Sequence, residues 1–210
     1  MPNQPSWLPL FPLNTVLFPG GILPLKVFEA RYIDMVRHCM KTATPFGIVL
    51  IKSGQEVGQV ALPEAVGCVT HITDWDMPTL GVLMLRTQGG ERFRILETRT
   101  LADQRLEAHV QMLAPDKVIP ISDIHVACAA ALKTVIEELN AHNRTESAAG
   151  RAIDSPFSEP AQLDNAGWVA NRWCEILPIP LTARQKLLEL DDAGSRLTVV
   201  YRYLQEQHVL

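Results

Sequence analysis

The chain has 210 residues, of which 47% are apolar, enough for the core of one large domain or two small ones. Its 19 basic and 23 acidic residues give a formal net charge of −4 with no basic block, so nothing electrostatic points to nucleic acid or an anionic membrane as partner. Four cysteines, Cys39, Cys68, Cys128 and Cys174, are scattered without Cys-x-x-Cys spacing and read as buried free thiols of a reducing, cytoplasmic setting.

The first segment, Leu8 to Tyr32, is apolar but carries Pro9, Pro12, Pro19 and Pro24 and the Gly20-Gly21 pair. No cation precedes Lys26, and proline interrupts every apolar run, which argues against a secretory leader and against a membrane span. Proline is tolerated at strand starts, edges and bulges, and Gly-Gly permits a turn, so the segment is expected to form short strands. Within "EARYIDMVRHCMK", Tyr32, Ile33, Val36 and Met40 recur at helical spacing before Pro45, predicting one amphipathic helix.

From Phe46 to about Ala114 the runs "FGIVLIK", "AVGCVTHI", "TLGVLMLRTQ", "ERFRILETRT" and "RLEAHVQMLA" predict one antiparallel β region. Gln88-Gly89-Gly90-Glu91 is expected to be a two-residue hairpin turn between the third and fourth of these runs, at "VLML" and "RFRI". His109 should stand on the wet face of the last run, where Leu106, Ala108, Val110 and Met112 alternate with polar residues. Arg92, Arg94 and Arg99 interleave with Glu91 and Glu97, which suggests cross-strand pairs. "DWDMPTL", Asp74 to Leu80, is expected at a turn. Its Trp75, Met77 and Leu80 are candidate partner-binding residues, weighed evenly against Trp75 folding back on a sheet edge.

After Pro120 the period becomes helical. A first helix opens at Ser122 and carries Ile124, Ala127, Cys128, Leu132, Val135 and Leu139; a second carries Trp168, Val169, Trp173 and Leu177 and stops at Pro178-Ile179-Pro180. Thr182 to Gln185 matches a capping box for a third, and Asp192 caps a fourth that carries Leu197, Val200, Tyr201 and Leu204. Residues 143–160, small and polar without period, read as a mobile loop. The expected division is a β domain over 1–118 and a four-helix bundle domain over 119–210.

Catalytic patterns are absent from the sequence: no Gly-x-Ser-x-Gly, no His-Glu-x-x-His, no Gly-x-Gly-x-x-Gly and no phosphate loop. The six histidines, His38, His71, His109, His125, His142 and His208, include no i, i+4 pair, so no metal and no cofactor are expected.

The proline-bearing first segment, the Phe28-Glu29-x-Arg31-Tyr32 turn into a helix and the Gly90-x-Arg92-Phe93 sequence, followed by "LPIPLTARQKLLEL", together resemble the amino-terminal domain of the Lon protease family, from Leu8 to Leu204. The resemblance implies an α+β fold: a PUA-like antiparallel pseudo-barrel with one helix, then a helical bundle. Phe28, Glu29, Arg31, Tyr32, Gly90, Arg92 and Phe93 are its scaffold residues, with Phe28 and Tyr32 in the core and Glu29 and Arg31 fixing the chain's entry to the helix. Lon's ATPase and Ser-Lys protease modules have no counterpart in the residues up to Leu210, so the expectation is a non-enzymatic bacterial module that recognises unfolded or apolar polypeptide segments and supports self-association. Two alternatives stand beside it. One is a hydrolase-like enzyme with dispersed catalytic residues in a cleft between the halves, and the other is an adaptor subunit of a protease complex.

Overall fold

The computed structural model describes residues 7–58, 60–148, 157 and 160–210. The chain divides into two compact units, Met1–Pro115 with Ile179–Glu189, and Asp116–Pro178 with Leu190–Leu210.

The first unit is built on six strands: β1 (Leu8–Leu13), β2 (Ile22–Val27), β3 (Phe46–Ser53), β4 (Leu62–Thr79), β5 (Val82–Thr100) and β6 (Leu106–Met112). Their order is β2-β5-β4-β3-β1-β6, and β6 pairs back onto β5, so five of the strands close into a barrel with β2 attached outside the ring. β1 runs parallel to β3, so the sheet is mixed and not wholly antiparallel as the sequence suggests. β5 can serve two neighbours along one side because it is long: residues 83–88 pair with β2 and residues 93–100 with β6.

Residues 10–12 of β1, 46–51 of β3 and 66–70 of β4 are buried on both faces, which explains their largely apolar or small residues. Leu10, Val49, Val69, Phe93, Leu106 and Ala108 fill the barrel, while their neighbours Phe11, Ile48 and Cys68 pack outward under helix α1 (Ala30–Thr42). The Phe93 ring needs two glycines. A Cβ on Gly47 or on Gly67 would lie 2.6 Å from its Cζ.

The Gly89-Gly90 pair is not a turn, in contrast to the expectation, because β5 runs straight through it. Between the pairs Cys68↔Arg92 and Thr70↔Gly89, β5 carries one residue more than β4, so Gly90-Glu91 form a bulge. A Cβ on Gly89 would stand 2.3 Å from the Phe18 carbonyl oxygen, which is why glycine is required there. The true hairpin turn is at Leu80-Gly81, where Gly81 has φ +84°. The Gly20-Gly21 turn forms as expected: Gly20 has φ +75° and the Gly21 N–H donates to the Phe18 carbonyl at 3.0 Å.

Helix α4 (Leu181–Glu189) belongs to the β unit and does not join a four-helix bundle. Gln185, expected to close a capping box, instead donates to the Val66 carbonyl of β4 at 3.0 Å, and Arg92 donates to the Leu188 carbonyl at 2.8 Å. Thr182 lies inside the helix, which starts a residue earlier after Pro180. Two buried polar side chains thus tie α4 to the barrel wall.

The second unit packs α2 (Val126–Ala148), α3 (Ala166–Ile176) and α5 (Ala193–Glu206) around Cys128, Leu132, Val169, Trp173, Leu197 and Val200. Asn165 and Asp192 cap α3 and α5 through side chains that accept from the Gly167 and Ser195 N–H groups. Ser122 makes no such cap bond; it precedes a short 3-10 turn and its hydroxyl lies 3.0 Å from His125 Nδ1. Arg196 is fully buried, bonded to Asp116 at 2.6 Å, Asn171 at 2.9 Å and the Leu190 carbonyl at 2.5 Å. α2 is helical through Asn143 to Ala148, where the composition suggests a loop; most of the rest of 143–160 lies outside the described residues.

Candidate functional site

β4 changes character along its length. Up to Thr70 it has β3 on one side and β5 on the other. From His71 to Thr79 it pairs with β5 alone, and among the described residues no strand covers its second edge. Register follows from the pairs Trp75↔Leu85 and Asp76↔Met84. Leu85 is buried and Met84 exposed, so Trp75 and Met77 share the face that looks toward the core, while Asp74 and Asp76 stand on the other.

Beside this edge lies an open groove of about 540 Å³. Met40, Ala43 and Thr44, at the carboxyl end of α1, form one wall, and the run from His71 to Trp75, with Asp74 at its rim, forms the other. Met77 and Ile72 are partly buried against the core cluster, whereas Trp75 is 51% exposed over it. Cys39 lies at the groove's base. Burial pushes its thiol above the ordinary range, so it is a packing group and no nucleophile. Ala43 takes the left-handed conformation, φ +53°, and its N–H closes α1 on the Cys39 carbonyl, which ends the helix short of β4 and leaves the groove open.

The two aspartates occupy the edge itself. Asp74 Oδ1 accepts from the Trp75 N–H at 2.9 Å and Asp76 Oδ1 from the Met77 N–H at 2.7 Å. Trp75 and Met77 are two residues apart, so their N–H groups point the same way, and a carboxylate cannot stand between paired strands; both groups face away from β5. The open edge is therefore screened by the strand's own side chains, a device that discourages sheets from joining edge to edge. Leu80, at 90% exposure, sits apart from the groove on the hairpin turn. Of the three candidates, Trp75 alone lines the groove and Met77 continues its wall.

The scaffold residues fall elsewhere. Tyr32 is buried and stacks on Phe11 with ring centroids 4.2 Å apart; burial, more than the nearby Glu29 charge, raises its phenol above the ordinary value. Glu29 and Arg31 pair at 3.0 Å, and the Glu29 carbonyl accepts from the Tyr32 and Ile33 N–H groups, fixing the entry to α1. Phe28 is not core, correcting the expectation. In β2 Leu25 and Val27 turn inward, so alternation turns Phe28 out, to 55% exposure. Arg92 is buried rather than part of an exposed charged ladder, while Arg99 makes the cross-strand pair, to Glu107 at 2.6 Å.

A second groove, about 470 Å³, runs past Trp7, Met35, His38, Arg105 and Glu107. Two of its charges are paired with residues beside it: Glu107 holds Arg99, whose guanidinium lies 4.2 Å from the Trp7 ring centroid, and Arg105 holds Asp103 at 2.6 Å. In the helical unit His125 has Ser122 Oγ at 3.0 Å and Thr198 Oγ1 at 3.4 Å on its two nitrogens and Tyr201 edge-on at 5.5 Å. Among the described residues no three His, Cys, Asp or Glu side chains gather as a metal would require, and no helix is long and apolar enough to cross a membrane. The sequence alone misses the edge: the Asp-x-Asp alternation at Asp74 and Asp76 is the local signal for it, but that β3 stops short is a fact of strand register.

Residues 7–206 match the family model described as the ATP-dependent protease La (LON) substrate-binding domain. A Lon protease of Anaeromyxobacter dehalogenans is 23% identical over 205 residues, which span 97% of this chain and 23% of the relative; the chain is thus about a quarter of that protein's length. The crystal structure of a Lon N-terminal domain protein from Xanthomonas campestris superposes with a TM-score of 0.73 at 33% identity, covering 94% of this chain and 98% of that one. The N-terminal domain of a Mycobacterium avium complex Lon protease, at 14% identity and a TM-score of 0.61, shares the fold over 95% of this chain and 98% of its own.

Proposed function

The chain belongs to the Lon substrate-binding domain family, and from that premise we propose that it is a non-enzymatic, cytoplasmic module that takes extended, apolar stretches of other polypeptides along the free edge of β4. The observation that carries this reading is the conjunction of a strand edge over residues 71–79 that no described strand covers with a groove whose wall exposes half of Trp75. A strand edge offers backbone hydrogen bonds to any sequence, and a flanking groove reads alternate side chains, which suits a receptor for unfolded clients. No titrating group is needed, and the groove's buried thiol is held protonated. Ile72 and Met77, partly buried beside Trp75, supply adaptable apolar contact, and an exposed Trp is among the residue types that most often dominate such interfaces.

The test is titration of the protein with a denatured model substrate and with an array of extended peptides. Saturable binding is expected, weakened about tenfold by Trp75→Ala with the fold intact. Absence of saturable binding to every peptide class would end this reading.

A further inference from the structure

The aspartates at the edge specify the occupant more narrowly. Resting on the reading above, we infer that the β4 edge is selective for extended segments in which cationic and apolar residues alternate. The Trp75 and Met77 N–H groups that an added strand must use are held by Asp74 and Asp76. An incoming backbone carbonyl replaces the carboxylate on each N–H and sets two carboxylates free at the interface. Among the described residues each carboxylate is engaged by a backbone N–H and by no ion pair.

The displaced charges need new donors, and geometry says where those must stand. Asp74 and Asp76 lie on one face of β4, and Ile72, Trp75 and Met77 on the other. Cross-strand neighbours on one face stand about 5 Å apart, so an added strand places every second side chain against the aspartates and the intervening ones against the groove. Lysine or arginine at the first set replaces the broken hydrogen bonds with charge-assisted ones, and apolar residues at the second cover Trp75. A neutral strand breaks the same bonds and returns nothing to the carboxylates, while an acidic strand puts like charges face to face. The acidic edge thus excludes a second copy of the same edge and the bulk of acidic surface segments, and admits basic amphipathic strands.

Three short peptides that alternate valine with lysine, glutamine or glutamate separate the outcomes, with binding followed by anisotropy and the contact mapped by amide shifts in NMR spectra. The lysine peptide is expected to bind about five- to tenfold more tightly than the glutamine peptide, with glutamate weakest, and to shift amides of His71–Thr79. In the Asp74→Asn/Asp76→Asn variant, which keeps an acceptor oxygen on each N–H, the preference should vanish. In the Asp74→Ala/Asp76→Ala variant, which uncaps the edge, the glutamine peptide should gain affinity. Equal affinity for all three peptides at His71–Thr79 would overturn the charge selection and leave the edge standing as a binding site. Saturable binding with shifts confined to other residues would overturn both the selection and the edge, and no binding by any peptide would overturn the proposed function as well.

Discussion

The two halves of β4 form one continuous strand and do opposite work. Over Gly67, Cys68, Val69 and Thr70 every residue is buried, both edges are paired and a Phe93 ring presses on the backbone. Over Thr73, Asp74, Trp75 and Asp76 every side chain is exposed, one edge is open and aspartates cover the N–H groups. The composition tracks the burial: small and β-branched residues where packing is tight, acidic and aromatic ones where the strand leaves the barrel. What separates the halves is where β3 begins. Phe46 pairs with Thr70, and Pro45 and Thr44 turn away to α1 instead of extending the pairing. An open strand edge can therefore be made without any new element, by letting one strand outrun its neighbour.

This contrast can be broken most sharply in the closed half. Gly67→Ala places a methyl 2.5 Å from the Ile48 carbonyl oxygen and 2.6 Å from Phe93 and Val49, and because the obstacle includes backbone it should cost about 2–3 kcal/mol in urea unfolding. Next in size is Arg92→Leu, which removes the donor to Leu188 and leaves a buried carbonyl short of a partner. A loss of about 1–3 kcal/mol is expected, with faster amide exchange in α4 than in the other helices. In the open half Trp75→Ala should cost under about 1 kcal/mol of stability, since the ring is half in water, while removing most of the peptide affinity. A large stability loss there would mean the tryptophan is structural and the two halves are less distinct than they look.

The smallest effect lies in the helical unit and serves as a control for the other three. Burial lowers the His125 pKa below its ordinary 6.5, so the unfolded chain binds the proton more readily than the folded one. His125 therefore contributes fully above about pH 6.5 and its contribution is lost as pH falls below that value. Urea midpoints measured between neutral and mildly acidic pH should fall for the wild type and fall less for His125→Gln. An unchanged slope would show that the imidazole is not held neutral.

Several details were legible because they depend on near neighbours alone. The spacing of Tyr32, Ile33 and Val36 places one face of α1 in the core, Asp192 caps α5, and Pro178 to Pro180 separates α3 from α4. Details that depend on a distant partner were misread. Gly89-Gly90 has the composition of a hairpin turn, yet the backbone carbonyl of Phe18, 71 positions before Gly89, is what demands glycine there. Gln185 sits where a capping box would put it, yet its amide goes to Val66 across the barrel wall. Phe28 looks like core by type and is exposed by strand alternation.

By itself, then, the amino-acid sequence determined the periods: which stretches are strand or helix, which face of each is apolar, and that the proline-rich opening is sheet. Period and propensity are local, since they follow from one residue's backbone preferences and its near neighbours along the chain. Tertiary structure alone decided which edges are covered. The closure of β6 on β5, the docking of α4 by Arg92 and Gln185, and the edge of β4 that no described strand covers all depend on where strands of different length begin and end beside one another. Asp74, Trp75 and Asp76 read the same in either setting. Only the register of β3 sets them on an open edge.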